Sequence, residues 1–245
     1  EIQIRGFSSG GLSKADDKQY LSAKYLDDII SQANVGELTV SEKENLYPTT
    51  FVDLFPFVDG QEEGVNGYSN NEHLEDMFKL LYVNFTDLRI TQTHVDIFKE
   101  KRINQYNIDK ENPDHAYNLE FVKKFFNDHP RTKSGTEELY NQINLKDLQG
   151  FYIDRFKDGG NFNFVIVGDF EFDEIEPLIE KYIGSLPSLN RKDGYIDRGI
   201  RYNLGSEEVK YEQDNPKKAY VTRLYNKEFN NTVKERYKSY LLYSI

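Results

Sequence analysis

Cysteine and tryptophan are absent from this 245-residue sequence, and methionine occurs once. The lack of cysteine excludes disulfides, thiolate nucleophiles and cysteine-ligated zinc together, though it does not fix the compartment. No apolar run approaches the ~20 residues that a membrane-crossing helix needs, and the first residues lack the charged and apolar regions of a signal peptide. Positive charge is also scarce. Lys and Arg number 31 against 42 Asp and Glu, a formal charge of -11, and no basic stripe interrupts the balance. Phosphate contacts require a basic surface, so nucleic acid is excluded as a natural partner. Neither G-x-S-x-G nor a P-loop occurs, and Gly10-Gly11 does not satisfy the dinucleotide fingerprint. A Ser9 or Ser13 nucleophile would need a histidine and an acid converging on it in space.

What the chain does contain is enough for a core. It is 38% hydrophobic and 14% aromatic, with 18 Tyr and 17 Phe, which places it among folded chains and fits one large domain or one and a fraction. EIQIRGFSS alternates as a strand and runs into the Ser9-Gly10-Gly11 turn. From Ser13 to Asn34, Leu21, Tyr25, Leu26, Ile29, Ile30 and Ala33 form one stripe, predicting a first long helix that Gly36 stops. Ser41 and Glu44 have capping-box spacing for a short helix that Pro48 ends.

TTFVDLFPFVD and EGVNGYS predict a hairpin around an acidic turn from Asp59 to Gly64, its first strand weakened by Pro56. Helices are expected from Asn70, from Thr93, from Asn112-Pro113 through Phe126, and over Leu145 to Phe156. After Pro187 the composition turns polar until a candidate strand at Ala219 to Leu224. The order of elements predicts an α+β sandwich, with helices packed mainly on one face of a mixed, mostly antiparallel sheet. A boundary falls near residue 190, giving a domain over 1–190 and, over 191–245, a linker and the start of another domain. KERYKSYLLYSI reads as a helix cut off mid-pattern, so the chain is expected to be a piece of something longer.

The most specific stretch is NFNFVIVGDFEFDEIEPLIEKYIGSLP, residues 161–187. Val165, Ile166 and Val167 predict a covered strand, Gly168-Asp169 a turn, and Asp173 the N-cap of a helix carrying Ile175, Leu178, Ile179, Tyr182 and Ile183. Physics gives this unit no chemistry. Its wording, VIVGDF before an acidic helix that ends in KYIGSLP, resembles the insulinase/pitrilysin (inverzincin) family of zinc peptidases, whose homologous domains each close with such a unit. Through Gly10-Gly11 and the helix after it, the resemblance covers most of residues 1–190.

A catalytic domain of that family carries H-x-x-E-H on its first long helix, where two imidazoles hold zinc and the glutamate acts as general base. Aligned from Gly11 through the apolar stripe, the motif falls on Lys24-Tyr25-Leu26-Asp27-Asp28. Lys24 and Asp28 replace the histidines and Asp27 the glutamate. The family's third ligand, a glutamate in a helix ending before a D-x-P or N-P element, falls at Gln105, with Arg102, Ile103 and Asn104 beside it and Glu100 lacking histidine company. An ammonium has no lone pair and Gln105 is a neutral amide, so the resemblance implies a domain without catalytic residues, metal or other cofactor.

The plainer reading of Lys24, Asp27 and Asp28 is a solvated helix face, with Lys24 and Asp28 paired at i,i+4 for ~0.3 kcal/mol. His73, His94, His115 and His129 are isolated in sequence and expected at the surface or at helix ends; His73 with Glu75 or Asp76 lacks zinc-site spacing. Asp59, Glu62 and Glu63 read as a solvated turn without EF-hand spacing.

The resemblance therefore implies an inactive peptidase-like domain of a larger zinc metalloendopeptidase. It would help close a peptide-enclosing chamber, while zinc and the general base belong to the parent's catalytic domain. Implied partners are other domains of the same polypeptide or a paired subunit, and the parent's peptide substrate; the implied location is a bacterial periplasm or envelope. A structural or scaffold domain of a protein complex is the alternative.

Overall fold

The computed structural model describes residues 1–205, 208–210, 229–230 and 232–243. The candidate strand at Ala219 to Leu224 lies outside them. The chain divides into two compact units, one of residues 1–108 and 135–198, the other of 109–134 and 199–245.

In the first unit, strand β1 (Ile2–Ser9) leads into a single tight turn of helix at Gly11–Lys14. Helices α1 (Tyr20–Ala23) and α2 (Leu26–Ile30), the short strand β2 (Asn34–Val35) and helix α3 (Val40–Leu46) follow. The hairpin strands are β3 (Val52–Val58) and β4 (Glu62–Ser69), followed by α4 (Leu74–Thr86), β5 (Leu88–Arg89) and α5 (Gln92–Asp109). The sheet order is β3-β4-β1-β6, with β6 at Asn163–Gly168, and every described pairing is antiparallel. Register places Arg5 between Asn66 of β4 and Val165 of β6. Pro56 lies in β3, which pairs only with β4 among the described strands, an edge position where its missing N–H costs no ladder bond.

Alternation along the strands makes the sheet one-sided. Ile2, Ile4, Val52, Leu54, Val58 and Val65 are buried, and they join Leu26, Ile29, Met77, Phe78 and Leu81 in one core. α4 packs on β3 and β4, and α2 on β3. The opposite face carries Arg5, whose guanidinium lies 5.2 Å from the Phe57 ring centroid and pairs with Glu62 at 2.5 Å. Val165 and Val167 remain 48% and 65% exposed on this face, so β6 is covered on the other side alone. The expected sandwich with helices on one side of the sheet is the fold observed.

Several local expectations are corrected. The first long helix is interrupted: the polar run Asp16 to Gln19 offers no apolar stripe, and α-helix starts only at Tyr20. It breaks again where Tyr25 adopts φ -107°, ψ 10° and its N–H reaches back three residues to Ser22. Both flanks are tied elsewhere, Ser22 Oγ accepting the N–H of Asn144 and the Tyr25 ring packing 5.4 Å from Phe98 and 5.5 Å from Tyr140. The capping box is Thr39 with Glu42, two residues before the expected pair, because Thr39 holds the extended backbone a cap requires. α4 starts after His73 rather than at Asn70, whose side chain accepts the His73 N–H.

Beyond α5 the first unit resumes with α7 (Glu137–Gln142) and α8 (Leu145–Phe156), the latter spanning the expected residues under an Asn144 cap. After β6, α9 (Phe172–Leu178) begins one residue before Asp173, which serves its first turn as a favourable charge. A wider turn over Ile179–Ile183 then closes with the Gly184 N–H on the Ile179 carbonyl. Gly36 has a positive φ, 62°, but stops no helix: α2 ends six residues earlier, at Ile30, and Gly36 turns the chain after β2.

The second unit contains α6 (Pro113–Phe125), capped by Asn112 with proline at the first position as its sequence predicts. Tyr117, Phe121 and Phe125 stack at successive i+4 positions, and Tyr202 packs 4.8 Å from Phe125. α10 (Val233–Tyr243) overlaps the expected terminal helix.

Candidate functional site

The residues aligned with the metal motif come together at the break between α1 and α2. Lys24 and Tyr25 lie between the helices, and Lys24 Nζ is 5.6 Å from the Tyr25 ring centroid. Partial burial lowers its pKa. The same desolvation, with Tyr140 as neighbour, pushes the Tyr25 phenol well above its ordinary value.

Asp27 is open to solvent as a residue, but Oδ1 turns inward to accept the Val58 N–H at 3.1 Å, tying α2 to the end of β3. Desolvation raises its pKa, the Val58 bond opposes that shift, and Asp28 and Asp59 add to it. Asp28 accepts from Arg102 of α5 at 2.6 Å. Arg102 in turn lies 5.4 Å from the Phe98 ring centroid. Gln105 is exposed on α5, three residues beyond Arg102.

This donor set does not fit a zinc ion. Asp28 already faces a guanidinium, Asp27 accepts a main-chain amide, and an ammonium stands at the first position. A metal site needs three or four convergent lone-pair donors. Among the described residues no group of three or more His, Asp or Glu is placed to hold a metal ion.

The histidines mark helix ends. His73 flanks α4 and contacts Asp76 at 3.0 Å, His94 Nδ1 accepts the Thr91 N–H before α5, His115 lies in the first turn of α6, and His129 Nδ1 accepts the Arg131 N–H.

A second cluster was not expected. Glu63, assigned from sequence to a solvated turn, is fully buried in β4; its carboxylate accepts from Arg155 of α8 at 2.9 Å and from the Gly11 N–H at 2.5 Å. The turn itself is only Asp59 to Gln61, so Glu62 and Glu63 belong to the strand and alternation sends Glu63 inward. Arg155 is 1% exposed and also reaches Asp193 at 2.5 Å, while Lys14 meets Asp193 at 3.2 Å.

Buried charge persists only where it is paired and hydrogen-bonded, and this network meets that condition at both ends of Glu63. The signal available in the sequence was Arg155 itself. It occupies the apolar stripe of α8 with Leu148, Phe151 and Tyr152, where an unpaired charge could not remain. A shallow cleft of about 480 Å³ lies near this corner, lined by Ser9, Asp59, Gly60, Gln61, Glu62 and Tyr195. None of these residues supplies a nucleophile with a base beside it.

Comparison with known proteins bears on the fold and the family. Residues 142–241 match the family model described as the peptidase M16 inactive domain. The probable zinc protease PqqL of Haemophilus influenzae is 19% identical over 196 residues, covering 77% of this chain and 20% of that protein. The periplasmic protease PqqL from Escherichia coli superposes with a TM-score of 0.71 at 20% identity, over 85% of this chain and 23% of that one. A peptidase M16 inactive domain from Pseudomonas fluorescens gives 0.57 at 17% identity, over 80% and 48%. At such identities the solved structures establish the fold. The chain spans about a fifth of the length of the curated relative it matches.

Proposed function

We infer the function from the premise that this chain is a domain of the insulinase/pitrilysin (M16) peptidase family, of the non-catalytic kind. It serves as an inactive wall of a longer zinc metalloendopeptidase, helping enclose the peptide while another domain holds the zinc and the general base. One observation carries this reading: Asp27 and Asp28, which the sequence alignment sets opposite the motif with Lys24 and Gln105, are engaged in internal bonds.

The partners in this reading are the other domains of the parent polypeptide or a paired subunit, and the peptide that they enclose. Residues 1–190 form the M16-type domain and 191–245 lead into the next. No helix of the described residues is long and apolar enough to cross a membrane. A bacterial periplasm or envelope is the location proposed, supported by the periplasmic Escherichia coli relative. The charge of -11 further suggests a preference for basic peptides through electrostatic attraction. Peptide binding that ignores ionic strength would remove that part.

The central test is direct. The protein incubated with zinc and a quenched fluorescent peptide should show no cleavage above background, and chelator-sensitive cleavage would overturn the reading.

A further inference from the structure

The polar residues after Pro187 are not a free linker at their start. From Leu189 to Arg198 the chain has no regular secondary structure, yet its main-chain amides are taken up one after another by side chains of the first unit. Leu189 and Arg191 donate their N–H groups to the two oxygens of Asp158, each at 2.8 Å. Asp193 donates to Asn161 Oδ1 at 3.0 Å and Ile196 to Ser13 Oγ at 2.9 Å. Asn190, with φ 54°, breaks any extended run between Leu189 and Arg191, and the acceptors of these amides are side chains instead of a neighbouring backbone.

Charged groups add to the hold. The Asp193 carboxylate meets Arg155 and Lys14, and the Arg191 guanidinium donates to the Asp154 carbonyl at 2.6 Å. Arg198 donates to the carbonyls of Ser13 at 2.6 Å and Ala15 at 2.8 Å. Asp158, which anchors the row, is fully buried.

Apolar packing contributes little. The core's last contribution from this part of the chain is Leu186; Leu189, Tyr195 and Ile196 are 55%, 57% and 41% exposed. A segment held by polar contacts and not by core burial opens at a lower free energy than the core it lies on.

We propose that residues 189–198 are a detachable polar strap, fastened by Asp158, Asn161, Arg155 and Ser13, that opens as one unit while the sheet and its helices stay folded. Opening releases the chain between Pro187 and the second unit. Closing fixes the direction in which it leaves the first unit.

Amide hydrogen exchange on the full chain tests this. The amides of Leu189, Arg191, Asp193 and Ile196 should exchange together, more slowly than an unstructured chain and faster than the amides of β1. Asp158→Asn should speed all four by about tenfold or more, the scale of one lost hydrogen bond to a charged group, and leave β1 unchanged. Asp193→Ala, altered on the strap itself, should act in the same direction and covers the case in which the Asp158 variant fails to fold. Trypsin should cut after Arg191, Lys192 or Arg198 faster in both variants than in the unaltered chain. Exchange of the four amides at the unstructured rate would show that there is no strap. Exchange only together with β1 would show a segment welded to the core. Either result overturns the proposal.

Discussion

The Asp28 carboxylate and the Arg102 guanidinium meet at 2.6 Å, joining α2 to α5 by an ion pair. The two side chains are 49% and 38% exposed, so solvent and salt weaken the pair. Asp28→Ala or Arg102→Ala should lower stability by only about 0.2–1 kcal/mol, as for other exposed pairs, with non-additive loss in a double-mutant cycle of urea unfolding.

Restoring histidine alone should not restore zinc. Lys24 and Asp28 straddle the break at Tyr25, so two imidazoles there do not share the face of a continuous helix, and Arg102 presents a positive charge to the second. A Lys24→His, Asp28→His double variant titrated with zinc in a calorimeter should show no saturable binding at micromolar concentrations. Tight one-to-one binding would contradict this account of the site.

Arg155→Ala strips Glu63 of its cationic partner while leaving the carboxylate buried. Loss of one member of such a pair costs about 3–5 kcal/mol, so the unfolding midpoint should fall steeply. A Glu63→Gln, Arg155→Met pair, which removes both charges, should recover a large part of that loss in the same denaturation assay.

Asp27 gives a pH dependence of definite sign. Desolvation, with Asp28 and Asp59 nearby, holds its folded pKa above the unfolded value near ~3.9. The stability gained by protonating it is therefore fully present below the unfolded pKa and lost as pH rises through the folded one. Asp27→Asn keeps an oxygen for the Val58 N–H and removes the charge. Its Tm should exceed that of the unaltered chain at pH 7, and the difference should vanish in melts below about pH 4.

Gly11 has φ +51°, and a methyl group on it would run into the Asp59 carbonyl oxygen and the Glu62 backbone. Gly11→Ala should destabilise by more than the ~1 kcal/mol of an ordinary glycine replacement, because the hairpin end must shift as well as the dihedral angle. Gly150→Ala, where the added Cβ meets nothing and the site is inside α8, should raise the midpoint instead.

Much of this architecture was legible because local pattern and tertiary role agreed. Strand β1, the Gly10-Gly11 turn, the Asn112-Pro113 cap and α8 all follow from periodicity and capping chemistry. The break at Tyr25 was hidden because its causes, Phe98, Tyr140 and Asn144, are distant in sequence. Glu63 was misplaced for a related reason: where a hairpin turn ends decides which carboxylates face inward, and an acidic run reads alike on either side of that limit. Arg102 as the partner of Asp28 required the structure, because the two are far apart in sequence.

The hold on residues 189–193 also bears on how such a chain can change over time. A segment in a backbone ladder keeps its bonds through almost any substitution, since every residue but proline supplies the same N–H and C=O. Here two side chains, Asp158 and Asn161, accept three of the amides. Asp158 alone accepts two of the three, so the connection depends on the identity of particular side chains in a way that no strand of the sheet does.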